Sequence, residues 1–481
     1  MLACGNRLTA VLTKTGHVRV CGDNGEGQLG FGKRPEVKLL SRIPWNCGSG
    51  SYIDVDAQMV AGTDSFFAVV DKTGNVWVSG SHQVIPNLTR TMQIIASPRR
   101  ITFVAAGFMH CMAIADNQQV FAVGKNFCGQ LGTGDLKRTS QFVPVADGPW
   151  MGTTTMLATG GCFSVLLSGN GDVWTCGMYA SCCLALTQEG MMLDDELSTN
   201  DRNIPTKICN NSLPDGRISF VAAGTSHVVV IAGGSLYSWG HNSSAQLGTG
   251  DFETYMSPVR VGGVELFGSP VRLASANKYH TLVLTEKREL WVFGNAETGR
   301  LGLGREERLT LSARFVKTPV RVNNDVFDNR RISSISAGCG HSAVLTEEGF
   351  MYTWGQGKKN EWRNVVPSAL GHLNPNWIQN APLLVHDRCV LCSGVSQYFV
   401  SGLTDTCLAG TPCRAASAST RALAFSAACQ KSTSLLSSWP HTGVSAGRSR
   451  PSSSLTHIAS TRRSACVPSC SSTALTMPCC T

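Results

Sequence analysis

Three consecutive stretches decide the fold: AAGTSHVVVIA (Ala222 to Ala232), YSWGHN (Tyr237 to Asn242) and AQLGTGD (Ala245 to Asp251). The first is an apolar run ending in Ala-Gly, then two residues, then His and a second apolar run. It recurs as AAGFMHCMAIA (Ala105 to Ala115) and SAGCGHSAVLT (Ser336 to Thr346), and as SANKYHTLVLT (Ser275 to Thr285) with Asn277 in place of Gly. Weaker copies start at Ala3, Ala61, Thr159 and Leu391. The second stretch is an aromatic-rich strand closing on Gly, seen again in WVFGN (Trp291 to Asn295) and MYTWGQ (Met351 to Gln356). The closing glycines are Gly22, Gly80, Gly124, Gly177, Gly240, Gly294 and Gly355, spaced 58, 44, 53, 63, 54 and 61 residues apart. Self-similarity at a period of about 55 marks a repeat architecture.

The side chains before each closing Gly give a physical test of the strand reading. Three residues before it stand Arg19, Trp77, Phe121, Trp174, Tyr237, Trp291 and Tyr352; one residue before it stand Cys21, Ser79, Val123, Cys176, Trp239, Phe293 and Trp354. These two positions share one face of a strand, because successive side chains alternate sides. Between them, on the other face, stand Val20, Val78, Ala122, Thr175, Ser238, Val292 and Thr353. A bulky face opposite a small one suits a sheet sandwiched between neighbouring sheets, as in a propeller blade. No long amphipathic helical stretch competes for the core, which disfavours a helical solenoid.

Four copies continue into the third signature: GQLGFG (Gly27 to Gly32), GQLGTGD (Gly129 to Asp135), AQLGTGD and GRLGLGR (Gly299 to Arg305). Its Leu is expected to anchor a turn whose glycines permit positive φ. A Pro-containing edge strand follows, as in SPVRV (Ser257 to Val261) and TPVRV (Thr318 to Val322). Linked in this order over about Leu2 to Thr404, these signatures resemble the repeats of the regulator of chromosome condensation family. The resemblance implies an all-β fold: a seven-bladed β-propeller of four-stranded antiparallel blades over residues 1–404. The WD-repeat propeller fits less well, since its period is shorter and its Trp-Asp dipeptide is absent.

The first repeat lacks the strand expected before Cys4-Gly5, and a half-copy, CVLCSGVSQYFVSGLTDT (Cys389 to Thr406), follows the seventh. Its strand is expected to complete blade one, so that N- and C-terminal segments pair and no sheet edge is left open. From 405 to 481 the pattern stops. That Ser/Ala/Cys/Arg-rich tail holds seven basic residues and one acidic one, leaving the body only slightly basic within the total of 41 Lys+Arg and 32 Asp+Glu. It reads as disordered or as a frame artefact. A weakly basic body gives little electrostatic support for nucleic acid or chromatin binding. No signal-like segment or run of 18 apolar residues occurs, so the chain reads as intracellular, cytoplasmic or nuclear, monomeric and without a membrane span. The twenty cysteines then read as reduced thiols, with Cys21 and Cys176 as small buried hydrophobes.

Motifs that suggest chemistry fail on context. Gly25-Glu-Gly27-Gln-Leu-Gly30 matches a dinucleotide fingerprint and Gly27 to Lys33 most of a phosphate loop, yet Arg34-Pro35 follows where a helix is required. His110, His227, His280 and His341 occupy one repeat position in separate blades, so they read as packed, hydrogen-bonded residues and not as metal ligands. Cys389-x-x-Cys392 is half of a zinc spacing without a second pair. No carboxylate pair of the propeller glycosidase kind is found, so a propeller hydrolase is disfavoured. No catalytic residue, metal or cofactor is assigned, and the chain reads as a binding module.

The expected function is a protein-binding scaffold or adaptor. The alternative follows from the resemblance: the family's founding member is a guanine nucleotide exchange factor for the small GTPase Ran and binds chromatin, with acidic and His residues on its Gly-x-x-His turns contributing. The residues just before the His position here read Arg7, Asp64, Met109, Phe163, Ser226, Tyr279 and Gly340, of which one is acidic. NAETGRLGLG (Asn295 to Gly304) resembles the corresponding blade of that exchange factor. The candidate partner surface comprises Asp64, Tyr279 and His280 with the loops at Gly134-Asp135 and Gly250-Asp251. The insertion from Ala185 to Asn203, with Asp194, Asp195 and Glu196 in a row, is a further candidate, against the plainer reading of a solvated acidic loop.

Overall fold

A computed structural model describes residues 1–356 apart from 6, 46–54, 64, 180–182, 186–200, 209–212, 214–216 and 305–313, together with strands at 358–359, 365–366 and 378–386. The chain forms seven four-stranded antiparallel blades, the arrangement of a seven-bladed β-propeller. Blade one is Leu2–Cys4, Leu8–Leu12, Val18–Asp23 and Glu36–Arg42. Blade three is Ile101–Ala106, His110–Ala115, Val120–Gly124 and Thr139–Pro144. Blade six is Val271–Ala276, His280–Thr285, Leu290–Asn295 and Phe315–Arg321. Blades two, four, five and seven occupy 57–95, 154–207, 218–262 and 332–386. In each blade the inner strand leads into the inner turn (Gly-x-x-His in blades three, five and seven), the second strand returns, and the third contains the closing Gly.

The second strands, such as Val228–Ile231, are buried on both faces, which is why they read as unbroken apolar runs. The aromatic position of the third strand meets a ring from the segment that enters the blade. Trp45 packs edge-on to Trp77, Trp150 to Trp174, Phe267 to Trp291 and Phe327 to Tyr352, with centroids 5.2 to 5.6 Å apart. Such geometry suits the ring quadrupoles and adds to the area each ring buries. The closing glycines have φ between +108° and +137°. A Cβ there would strike the carbonyl of the inner turn, at 2.3 Å from Arg7 O for Gly22 and 2.5 Å from Tyr279 O for Gly294. The next residue donates its N–H to that same carbonyl, Asp23 to Arg7 at 2.8 Å and Asn295 to Tyr279 at 2.9 Å. Glycine is therefore required where the third strand crosses its own blade's turn.

The third signature is an inter-blade device. Leu29, Leu131, Leu247 and Leu301 are buried as expected. The last glycine donates its N–H to the outer strand or loop of the following blade: Gly32 to Arg90 O, Gly134 to Asn203 O and Gly250 to Lys317 O, at 2.9 to 3.0 Å. The strand Glu36–Arg42, and not a helix, follows Gly27 to Lys33, which is the wrong context for a phosphate-binding loop. The proline-bearing segments form the outer strands Tyr255–Gly262 and Phe315–Arg321.

Ring closure differs from the expectation. Blade one supplies its own inner strand, with Leu2 opposite Val11, Ala3 opposite Ala10 and Cys4 opposite Thr9. Three residues suffice because Leu2 and Cys4 bury their side chains against Ala343, Leu345 and Met351 of blade seven. The seam is completed by Cys4 N–H to Ser336 Oγ at 2.9 Å and by Thr9 Oγ1 with His341 Nε2 at 3.0 Å. Among the described residues, blade seven thus closes on blade one by face packing. The half-copy Cys389 to Thr406, Cys392 and the tail from 405 lie outside the described residues.

Candidate functional site

Antiparallel order puts the inner turns and the loops after the closing glycines on one face, and the turns between second and third strands on the other. The first face surrounds an axial channel of about 740 Å³. Its wall is small: Ala61, Ala105, Ala222, Ser275 and Ala337 come from inner strands, with Arg7, Asp23, Glu26 and Lys278 at the turn-bearing mouth. Turns of adjacent blades are tied together there. Phe108 N–H meets Gly160 O at 3.1 Å, Gly161 meets Thr225 O at 3.0 Å, and Cys339 meets Gly5 O at 3.3 Å.

Below this mouth the four repeated histidines form a buried ladder between blades. Nε2 of His110, His227, His280 and His341 meets the hydroxyls of Ser164, Thr281, Ser342 and Thr9, at 2.7 to 3.0 Å. Three of those hydroxyls donate onward at 2.8 Å to carbonyls of the third signature, at Gln130, Gln246 and Arg300. Where the histidine position holds Leu8, Phe66 or Phe163, the next blade offers Phe67, Cys111 or Val228 and no hydroxyl. Burial drives the pKa of His110 and of His227 down to about 3, and that of His280 well below the ordinary value. These are neutral, structural imidazoles, as the sequence suggested.

His280 is accordingly completely buried, and a partner cannot touch it without opening the seam between blades six and seven. Tyr279, one residue earlier, is half-buried at the mouth. Its ring lies between Lys278, with Nζ at 5.1 Å from the centroid, and Arg300, with Cζ at 4.9 Å. Arg300 fills the Gln position of the third signature and is itself buried. It donates to Glu297 O at 2.9 Å, to Thr298 Oγ1 at 3.1 Å and to Cys339 O at 3.3 Å. Burial lowers its pKa, and Cys339 and then Glu297 offset part of that cost.

Asp135 and Asp251 prove to be turn-builders. Asp251 accepts from Thr249 Oγ1 at 2.7 Å, Tyr255 OH at 2.8 Å and Glu253 N–H at 3.1 Å. Burial alone would push its carboxyl up, yet these donors hold it below the ordinary range. Asp135 likewise accepts from Thr133 Oγ1 and Lys137 N–H, at 2.8 and 3.2 Å. Asp64 lies outside the described residues. The residues that precede the second strand of blades two and four are Ser65 and Cys162, since Phe66 pairs with Gly80 and Phe163 with Gly177. The sequence reading of Asp64 and Phe163 at that position is thus one residue out of register.

Sequence reasoning missed the exposed apolar side chains of this face. Phe108 is 39% exposed on the inner turn of blade three, and Phe127 is 50% exposed on its loop. The signal was a pair of phenylalanines where other repeats carry small or polar residues. Eight described cysteines are unbridged; burial pushes Cys4, Cys111 and Cys176 up to about 12, consistent with inert thiols. Among the described residues no group of His, Cys, Asp and Glu could hold a metal ion, and no helix is long and apolar enough to cross a membrane.

Comparison with known proteins places this architecture. The family model described as the regulator of chromosome condensation (RCC1) repeat matches residues 233–284 and 289–345, and a second model of the same description matches 2–28. The chain is 27% identical to the ultraviolet-B receptor UVR8 of Arabidopsis thaliana over 54% of each protein. It is 27% identical to the secretion-regulating guanine nucleotide exchange factor of Mus musculus, covering 53% of this chain and 52% of that one. It is 30% identical to the probable E3 ubiquitin-protein ligase HERC3 of Homo sapiens over 63% of this chain and 28% of the ligase. The chain therefore spans about half the length of the first two relatives and less than a third of the last. Among solved structures, Prp20p of Saccharomyces cerevisiae superposes with a TM-score of 0.63 at 21% identity, covering 79% of this chain and 88% of that one. That likeness is one of fold.

Proposed function

Because the chain belongs to the regulator of chromosome condensation repeat family, we propose that it is a protein-binding propeller that docks its partner on the turn-bearing face. One observation carries this reading: the exposed Lys278 lines the channel mouth beside the half-buried Tyr279, on a turn braced by Arg300 and the His280–Ser342 bond. A cation and an aromatic ring on an immobile turn can bind a protein with little ordering cost. A photo-crosslinking amino acid placed at Lys278 is expected to trap a discrete protein partner, while the same group at Asn117 on the opposite face traps none. Equal trapping at both positions contradicts the proposal.

Nucleotide exchange on a Ran-like small GTPase is the second reading. It is favoured by the likeness to the mouse exchange factor and by the yeast Prp20p structure, reported together with binding to Gsp1p and histones. Such activity needs no covalent step, only a surface that stabilises the nucleotide-free GTPase. The full chain is then expected to accelerate release of labelled GDP from Ran, and Asp64→Ala with Tyr279→Ala to abolish the acceleration. A release rate unchanged by the wild-type chain overturns this second reading and leaves the first.

A further inference from the structure

The turn-bearing face is broken in one blade. At the residue after the inner-turn Gly or Asn, blades four to seven carry Gly161, Thr225, Lys278 and Cys339, whereas blade three carries Phe108. At the residue after the loop asparagine, blades one, five and six carry Gly25, Ser243 and Ala296, whereas blade three carries Phe127. The end of the same loop adds Leu136, 47% exposed. These three side chains follow one ridge. Lys125 N–H bonds Met109 O at 3.0 Å, joining the loop to the turn that bears Phe108. Asn126 Nδ2 bonds Asp135 O at 2.8 Å, drawing Phe127 and Leu136 together across the loop mouth.

The loop's own charges are mostly positive, with Asp201, just before the outer strand of blade four, lying against its Cys128. The loop carries Lys125, Lys137 and Arg138, none of which forms an ion pair among the described residues. Its single carboxylate, Asp135, is already committed to Thr133 Oγ1 and Lys137 N–H. Exposed apolar groups rimmed by unpaired cations match a ligand that alternates aliphatic and acidic side chains. We propose that the blade-three ridge of Phe108, Phe127 and Leu136 docks an acidic, aliphatic peptide segment of a partner protein, with Lys125, Lys137 and Arg138 receiving its carboxylates. This rests on the reading of the turn-bearing face as the docking face. It adds a second contact, separate from the mouth at Lys278. Single-stranded nucleic acid could also use aromatics and cations, but Leu136 offers it nothing, and the loop places its aromatics singly.

The test uses the full chain and a short fluorescent peptide alternating Leu with Glu and Asp, read by anisotropy. Controls replace the acidic residues by Lys, replace Leu by Ser, or substitute an oligothymidylate. Saturable binding of the acidic aliphatic peptide alone is expected. It should weaken about tenfold or more in Phe127→Ser, and comparably in Lys137→Glu with Arg138→Glu. All three positions are exposed, and an unchanged Tm confirms folding. Absence of binding, equal binding of the Lys or Ser peptides, preference for the oligothymidylate, or indifference to Phe127→Ser overturns the proposal. Trapping at Lys278 that persists when the peptide fails locates the failure in the ridge; loss of both removes the docking face itself.

Discussion

At the residue scale the molecule is organised by what sits opposite each buried imidazole. Truncating Ser342 to Ala leaves His280 Nε2 buried without its hydroxyl partner, while Arg300 O keeps the Trp354 Nε1–H bond at 2.8 Å, so a loss of about 1–3 kcal/mol in urea unfolding is expected. Acid sensitivity follows from the same ladder. An unfolded histidine takes a proton near pH 6.5, whereas folded His110 and His227 do so only at about 3 and His280 lower still. The folded state binds fewer protons throughout that window. Stability is therefore full above pH 6.5 and falls as pH drops toward 3, by up to about 1.4 kcal/mol per pH unit for each histidine. Urea midpoints measured between pH 7 and pH 4 check this, and a midpoint that stays flat contradicts it. The histidines were legible because their position repeats; their hydroxyl partners were not, since Ser164, Thr281, Ser342 and Thr9 lie in the following blade.

At the element scale the third-signature loops of blades one, three and five are each folded around one asparagine. Asn242 accepts from Leu247 N–H at 3.1 Å and donates to Thr249 and Asp251, and Asn126 acts alike on Leu131 and Asp135. Replacing Asn242 by Ala strands a buried N–H, and a loss of about 2–3 kcal/mol is expected by the same urea measurement. Phe327→Ala removes a fully buried ring from Tyr352 and Trp354, for an expected cost of about 3–5 kcal/mol; a cost below 1 kcal/mol would mean that the connector does not staple blade seven. The third-strand aromatics and closing glycines were evident in the sequence, since alternation and positive φ leave residue-type marks. Trp45, Trp150, Phe267 and Phe327 left none, because their spacing to the next strand varies with connector length.

At the scale of the whole molecule, the seven-bladed ring was legible from repetition, while its closure was not. A three-residue strand at Leu2–Cys4 is too short to show alternation, and only its packing against Ala343, Leu345 and Met351 reveals it. The site was the least legible part. Repeat logic draws attention to positions that recur, such as His280 and Asp251, and those prove to hold the frame together. The binding surfaces proposed above lie where the repeats disagree, at Phe108, Phe127 and Lys278. The most direct measurement is hydrogen–deuterium exchange on the full chain with and without the protein trapped at position 278. Protection is predicted at 107–109, 125–138 and 277–279, with 116–118, 233–234 and 286–288 unchanged; protection confined to the second set would contradict a partner held on the turn-bearing face.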